Sequence, residues 1–106
     1  KRSIMKNISG ATVMSENKLM DARRRIDAID AQMADLFTQR FAAVRDVIDY
    51  KIENRLPIFD SSREEVVLDQ NAGRIDDEDI RPYFRAWYQE LLKLSKEYQK
   101  QIKEEK

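Results

Sequence analysis

Residues 18–55 contain neither glycine nor proline, and this long uninterrupted stretch most constrains how the chain can fold. Apolar side chains recur there at steps of mostly three or four residues, the spacing of one buried face on an α-helix. They are Leu19, Ala22, Ile26, Ile29, Met33, Leu36, Phe37, Phe41, Val44, Val47, Ile48 and Ile52. Such a helix is about 55 Å long, whereas a compact chain of 106 residues is about 33 Å across. The helix is therefore either a coiled-coil rod or partly covered by a second chain.

Composition excludes several classes of function. The 106 residues suit one domain, and 20 basic side chains balance 20 acidic ones, so we expect neither nucleic acid nor a membrane as a partner. The chain has no cysteine and no histidine, which removes thiolate chemistry and the commonest general base and metal ligand. We expect no metal site. Without a membrane-spanning apolar run, a soluble cytoplasmic protein is the default, although a processed exported form would look the same.

Two breaks divide the rest of the chain into helices. Residues 1–14 lack apolar periodicity and are predicted to be a flexible arm or extraneous residues preceding a helical domain of residues 15–106. Ser15 is a plausible N-cap for the long helix. Pro57 ends that helix, and a short second helix is predicted from about Ser62 to Ala72.

The ends of the second and third helices carry recognisable capping residues. Ser61 and Glu64 fit a capping box, and Gly73 suits a left-handed C-terminal cap. Asp79 as N-cap would place Pro82 in the first turn of a third helix that runs to about Ile102, with residues 103–106 frayed. The predicted fold class is all-α, with three helices of which the N-terminal one is very long.

Two cations interrupt the apolar face of the long helix. Arg40 and Lys51 are eleven residues apart, which places them roughly 20° apart in azimuth and about 16 Å apart in height. Burying a cation is costly unless it is paired. Their heads could reach water or pair with nearby carboxylates. Two cations at this spacing could equally clasp a small anion, which favours a binding site.

Three other groups of polar residues are candidates for the same site. Asp60, Arg63 and Glu64 lie at a loop-to-helix junction, where they cap the helix or contribute to a site. Ser95 and Gln99 are one helical turn apart on an otherwise apolar face, where they bond to backbone or line a pocket. Arg23, in a run of three arginines, lies about 100° around the helix from Arg40 and faces elsewhere in its own chain.

This set of residues contains no catalytic triad, metal-binding motif or phosphate-binding loop. Arginine, lysine, glutamine and serine with a carboxylate provide no obvious nucleophile. The set suits binding and electrostatic stabilisation of an anion.

The order of these residues resembles the all-helical class of chorismate mutases. The matching segments are RRRIDAIDAQMADLFTQR, the region of Lys51, PIFDSSREEV and LLKLSKEYQ, and the resemblance covers roughly residues 18–103. It implies an intertwined helical homodimer that rearranges chorismate to prephenate in phenylalanine and tyrosine biosynthesis, without a cofactor or covalent intermediate. Each site of such a dimer takes one arginine from the other chain, and Arg23 matches that arginine.

The resemblance also implies a role for each matching residue. Arg23 of the partner and Arg40 would hold the two substrate carboxylates, with help from Ser95. Lys51 and Gln99 would donate hydrogen bonds to the ether oxygen. Glu64 and the backbone of Asp60 would bind the ring hydroxyl, and Arg63 would help to hold the charges of the site. Lys51, Gln99, Arg40 and Glu64 are the expected catalytic residues.

Two alternatives remain open on the sequence. An isochorismate pyruvate-lyase would share the arginines and the lysine, although the segment from Asp60 to Glu64 is more typical of a mutase. A non-catalytic helical dimerisation module predicts charges outside the apolar seam, whereas Arg40 and Lys51 lie within it.

Overall fold

Three α-helices follow one another in the computed structural model, which describes the backbone of residues 9–105 and the side chains of residues 16–105. They are α1 (Ser9–Glu53), α2 (Ser61–Ala72) and α3 (Arg81–Glu105). The prediction of an all-α fold with a very long first helix is confirmed for these residues. None of the described helices is both long enough and apolar enough to cross a membrane.

The start of α1 differs from the sequence prediction. The described part of the helix already includes residue 9, so Ser15 lies inside α1 and is not its N-cap. Residues 9–14, expected to belong to a flexible arm, are helical, and no proline interrupts them. Residues 1–8 of the predicted arm lie outside the described part of the chain.

The chain divides into two compact units, one ending at Gln39 and the other beginning at Arg40. The described residues of the first unit are helical, and the larger apolar side chains among residues 16–39 are about half exposed to solvent. These include Leu19, Ile26, Ile29, Met33 and Leu36. A single chain thus leaves this apolar face uncovered, as the length of the helix predicts.

The second unit contains the core. Leu68 of α2 packs with Tyr88 and Leu91 of α3, and partly buried apolar side chains surround them. Ile48 of α1 and Ile102 of α3 are the most completely buried apolar side chains, at 0% and 1% exposure. Full burial of one such side chain contributes about 1.5–3 kcal/mol, so these contacts hold the end of α1 and the two other helices together.

Aromatic and polar contacts also join α1 to α3 within the second unit. The rings of Phe41 and Tyr98 lie 5.2 Å apart between centroids. A hydrogen bond to Tyr98 raises the pKa of Arg45 above its ordinary value, and the nearby carboxylate of Asp49 adds to this effect.

The capping residues of α2 differ from the predicted pair. Asp60 is the N-cap, and its carboxylate accepts a hydrogen bond from the Arg63 N–H at 3.1 Å. The predicted capping box of Ser61 and Glu64 is wrong, because Asp60 takes that role and the Glu64 carboxylate pairs with Lys96.

The end of α2 and both ends of α3 also correct the sequence prediction. Gly73 has φ −66°, which is right-handed, because the final turn of α2 tightens and the N–H of Arg74 reaches the Asn71 carbonyl at 3.1 Å. Asp79 is not the N-cap of α3, since the helix begins two residues later and the Asp79 N–H bonds to the Asp77 carboxylate. Pro82 lies in the first turn as predicted, and α3 continues through Glu105 without the expected fraying of residues 103–105.

Candidate functional site

A cavity of about 360 Å³ lies in the second unit, between the end of α1, the connecting segment before α2, and helices α2 and α3. Seven of the eight site residues predicted from the sequence line it: Arg40, Lys51, Asp60, Arg63, Glu64, Ser95 and Gln99. The eighth, Arg23, is exposed and does not line the cavity. Residues far apart in the sequence therefore meet at one place.

Arg40 is held in the cavity by neutral oxygen atoms. Its Nη1 donates to the Ser95 hydroxyl at 2.9 Å, and its Nη2 donates to the Tyr88 hydroxyl at 3.3 Å. The Ser95 hydroxyl donates in turn to the Leu91 carbonyl at 2.8 Å, which leaves its lone pairs for Arg40. Among the described residues no carboxylate pairs with Arg40, so its charge stays available to an anionic ligand.

Lys51 lies in the last turn of α1, where the helix dipole favours a positive charge. Its Nζ donates to the Ile58 carbonyl at 2.7 Å. An ammonium group has three donors, so this bond fixes its position and leaves two hydrogens for other acceptors. Val44 and Val47, on the same helix, also line the cavity.

Glu64 is paired with a cation that the sequence analysis did not single out. Its carboxylate lies 3.2 Å from Nζ of Lys96, and both side chains are about one-third exposed or less. The Lys96 ammonium also lies 4.5 Å from the ring centroid of Phe59. These contacts hold the Glu64 carboxylate at the cavity wall.

Gln99 is a buried cavity residue whose carboxamide is poorly satisfied. Its Nε2 reaches the Ser95 carbonyl at a long 3.4 Å, and its buried Oε1 has no hydrogen-bond partner among the described residues. Leaving a buried polar atom unpaired costs about 1–3 kcal/mol. A ligand group that donates a hydrogen bond to this oxygen would recover part of that cost.

Positive charges outnumber negative ones around the cavity. Five cationic side chains line it, against two carboxylates: the cations are Arg40, Lys51, Arg63, Arg74 and Lys96, and the carboxylates are Asp60 and Glu64. This excess suits a small ligand that carries more than one negative charge. In the described part of the chain, no three carboxylates lie close enough together to hold a metal ion.

Sequence reasoning missed some residues of the cavity. Asn71, Arg74, Tyr88 and Lys96 line the cavity but were not singled out as site residues. A signal was present for Tyr88, because it precedes Ser95 by seven residues and therefore shares its helix face. For Asn71 and Arg74 there was no comparable signal, since their position depends on how α2 packs on α3.

A larger cavity of about 520 Å³ lies along another face of α3. It is lined by Ile58, Lys93, Lys96, Glu97, Lys100, Lys103 and Glu104, so cations outnumber carboxylates here too. None of the eight residues predicted for the site lines it, whereas seven of them line the smaller cavity, and we therefore take the smaller cavity as the candidate site.

Residues 22–100 match the model of the family described as chorismate mutase type II. This span covers most of the chain and includes all eight site residues predicted from the sequence. No curated protein and no solved structure gives a significant match.

Proposed function

Because the chain belongs to the type II chorismate mutase family and is therefore an isomerase that converts chorismate into prephenate, we propose that the cavity lined by Arg40 and Lys51 is its active site. The observation that carries this proposal is the excess of cations in a cavity built from seven predicted residues. Chorismate is a small dianion, and such a lining complements its charge. The reaction belongs to phenylalanine and tyrosine biosynthesis.

Arg40 binds one carboxylate of the substrate. Its guanidinium is oriented by the hydroxyls of Ser95 and Tyr88, at 2.9 and 3.3 Å, and these neutral groups do not cancel its charge. A planar guanidinium suits bidentate contact with a carboxylate. Ser95 assists this contact, and Arg63 contributes to the positive potential of the cavity.

Lys51 and Gln99 stabilise the transition state. As the C–O bond of the ether breaks, negative charge grows on the oxygen atom, and donors aimed at that atom bind the transition state more tightly than the substrate. The Ile58 carbonyl leaves two hydrogens of the Lys51 ammonium unused. The long 3.4 Å contact of Gln99 Nε2 likewise leaves the amide able to donate.

Glu64 and the backbone of Asp60 bind the ring hydroxyl. The position of Glu64 at the cavity wall, secured by Lys96 at 3.2 Å, supports this assignment. Enclosing the substrate between these groups holds it in the compact conformer that reacts, which lowers the entropic part of the barrier.

A second subunit completes the site. The apolar side chains of α1 before Gln39 are about half exposed in one chain, and a surface of this kind is typical of an interface. Arg23 lies on the same part of the helix and is exposed in its own chain. We assign Arg23 of the partner subunit to the second substrate carboxylate, in an intertwined homodimer.

An absorbance assay of chorismate consumption tests the placement of the active site. We expect Lys51→Ala to lower kcat about 10²–10³-fold, because the ammonium acts on charge that develops only in the transition state. Lys93→Ala is the matched control, since Lys93 lies on α3 and does not line the cavity. Wild-type turnover by Lys51→Ala would place the active site elsewhere. Pyruvate release, followed in the same samples, would indicate lyase chemistry.

A further inference from the structure

The hydroxyl of Tyr88 lies where Arg40 enters the cavity. Tyr88 is 8% exposed, and its ring belongs to the core between α2 and α3 while its hydroxyl lies at the cavity wall. Two nitrogen atoms approach this hydroxyl: Nη2 of Arg40 at 3.3 Å and Nδ2 of Asn71 at 3.2 Å. None of the roles proposed for the other residues of the cavity uses this hydroxyl as a hydrogen-bond donor.

Both neighbours of the Tyr88 hydroxyl can only donate. A guanidinium has no acceptor. The orientation of the Asn71 carboxamide is determined by its second contact, in which Nδ2 donates to the Val67 carbonyl at 2.8 Å. A carbonyl oxygen only accepts, so the nitrogen and not the oxygen of Asn71 must face this side.

The hydroxyl of Tyr88 therefore accepts two hydrogen bonds and keeps its own hydrogen. A phenolic oxygen has two lone pairs and one hydrogen, and Arg40 and Asn71 use the lone pairs. The contacts found among residues 16–105 offer that hydrogen no acceptor. A polar hydrogen in so buried a position is stabilised by an acceptor that arrives with a ligand.

We propose that Tyr88 is a substrate-binding residue whose hydroxyl donates a hydrogen bond to the substrate carboxylate held by Arg40. This inference rests on the active site proposed above. The hydroxyl is within 3.3 Å of the guanidinium, so a carboxylate on Arg40 lies within its reach. Donation of a hydrogen bond by both Arg40 and Asn71 polarises the O–H bond and strengthens it as a donor. Asn71 is a positioning residue that orients this hydroxyl.

The proposed contact affects substrate binding more than chemistry. The charge of a carboxylate does not change during the rearrangement, so a donor to it binds the substrate and the transition state equally. Loss of that donor raises KM and leaves kcat nearly unchanged. A residue that only supports the shape of the cavity would instead disturb Lys51 and Gln99 and lower kcat.

The test compares Tyr88→Phe with Tyr98→Phe, a control that removes a hydroxyl from a tyrosine on the same helix outside the cavity lining. For Tyr88→Phe we expect KM to rise about tenfold, as for loss of a hydrogen bond to a charged group, and kcat to stay within about twofold. Tyr98→Phe should keep the wild-type KM. Circular dichroism and thermal unfolding verify that both variants are folded.

A second measurement identifies the group that Tyr88 contacts. Binding of a bicyclic dicarboxylate transition-state analogue is compared with binding of its two monocarboxylate derivatives. Tyr88→Phe should weaken binding of the dicarboxylate and of one monocarboxylate by the same factor, about tenfold. Binding of the other monocarboxylate should be unchanged. An unchanged KM, or equal losses for both monocarboxylates, would overturn the inference. If Lys51→Ala also retained wild-type turnover, the proposed active site itself would be wrong.

Discussion

Arg40 and Lys51 occupy an apolar helix face without carboxylate partners among the described residues. Arg40 donates to two hydroxyls, and Lys51 donates to the Ile58 carbonyl at 2.7 Å. Neutral acceptors satisfy the donors of a cation and fix its geometry, whereas an ion pair would also cancel its charge. At the scale of single residues, the cavity thus keeps its positive potential for a ligand.

The geometry around Lys51 predicts that arginine cannot replace it. In Lys51→Arg the planar fork needs more room than an ammonium and cannot keep both the Ile58 contact and a donor aimed at the ether oxygen. We expect kcat to fall about 10²-fold or more in steady-state assays. Arg45→Lys is a suitable control, because Arg45 lies on the same helix outside the cavity lining. Retention of wild-type kcat in Lys51→Arg would mean that the site does not require a compact donor.

Gln99→Glu makes the activity depend on pH. A carboxylate at this position repels the charge that grows on the ether oxygen, whereas a protonated carboxyl group donates to it as the amide does. We expect activity to be low at neutral pH and to rise as pH falls toward about 4.3, the ordinary pKa of glutamic acid. Rate–pH profiles of Gln99→Glu and of Gln101→Glu, which changes an exposed residue of α3, provide the measurement. Parallel profiles would exclude Gln99 as the donor.

At the scale of elements, the end of α1 positions Lys51, the lysine proposed above to act on the ether oxygen. Arg55 has φ 57°, the left-handed region, and the N–H of Leu56 reaches the Lys51 carbonyl at 2.8 Å. The N–H of Arg55 bonds to the Ile52 carbonyl at 3.2 Å, which completes a Schellman motif. This turn reverses the chain and brings the Ile58 carbonyl back to the Lys51 ammonium.

Arg55→Gly is expected to stabilise the protein. Glycine adopts the left-handed conformation without the steric cost that a Cβ imposes, and we expect a gain of about 0.5–1 kcal/mol. Thermal unfolding should show a rise in Tm of about 2–8 °C, with kcat unchanged. Arg55→Ala keeps the Cβ and should show no such gain. A lower Tm for Arg55→Gly would contradict the role assigned to this turn.

At the scale of the whole molecule, the apolar face of α1 is the surface that one chain leaves exposed to solvent. Side chains such as Ile26, Ile29 and Leu36 are 52–61% exposed. Burial of this face against a second copy would release ordered water and stabilise an association. The exposed Arg23 on the same segment would then enter the partner's cavity, so that assembly and catalysis depend on each other.

Mixed dimers test whether the active site is shared. If the proposed homodimer forms, we expect Arg23→Ala and Lys51→Ala each to inactivate both sites of their own dimer. A mixed dimer contains one site with Lys51 of one chain and the unaltered Arg23 of the partner subunit. Random co-assembly should therefore restore about a quarter of wild-type activity. Mixing Lys51→Ala with Arg40→Ala is the control and should restore nothing, because each subunit supplies both residues to its own site. Sedimentation should show a dimer, and an active monomer would contradict the proposal.

The sequence by itself determined the structural features that depend on residues close together along the chain. The three helices, the interruption near Pro57 and the common face of Ser95 and Gln99 follow from helical periodicity and the geometry of proline. The family resemblance, carried by residues from Arg23 to Gln99, agrees with the family match. The residue that caps the N-terminus of α2 was harder to predict, because Asp60, Ser61 and Ser62 are all good N-caps. The extended backbone conformation of Asp60 identifies it as the N-cap.

Only the tertiary structure decided which distant groups meet. Arg40 lies 55 residues from Ser95 and 48 from Tyr88, and Glu64 lies 32 from Lys96. The period of a helix predicts its faces, but the height and rotation at which two helices pack depend on the shapes of the side chains between them. For that reason the hydrogen-bond donors of the cavity could be named from the sequence. That the Tyr88 hydroxyl hydrogen lacks an acceptor could be found only from the packing of α1, α2 and α3.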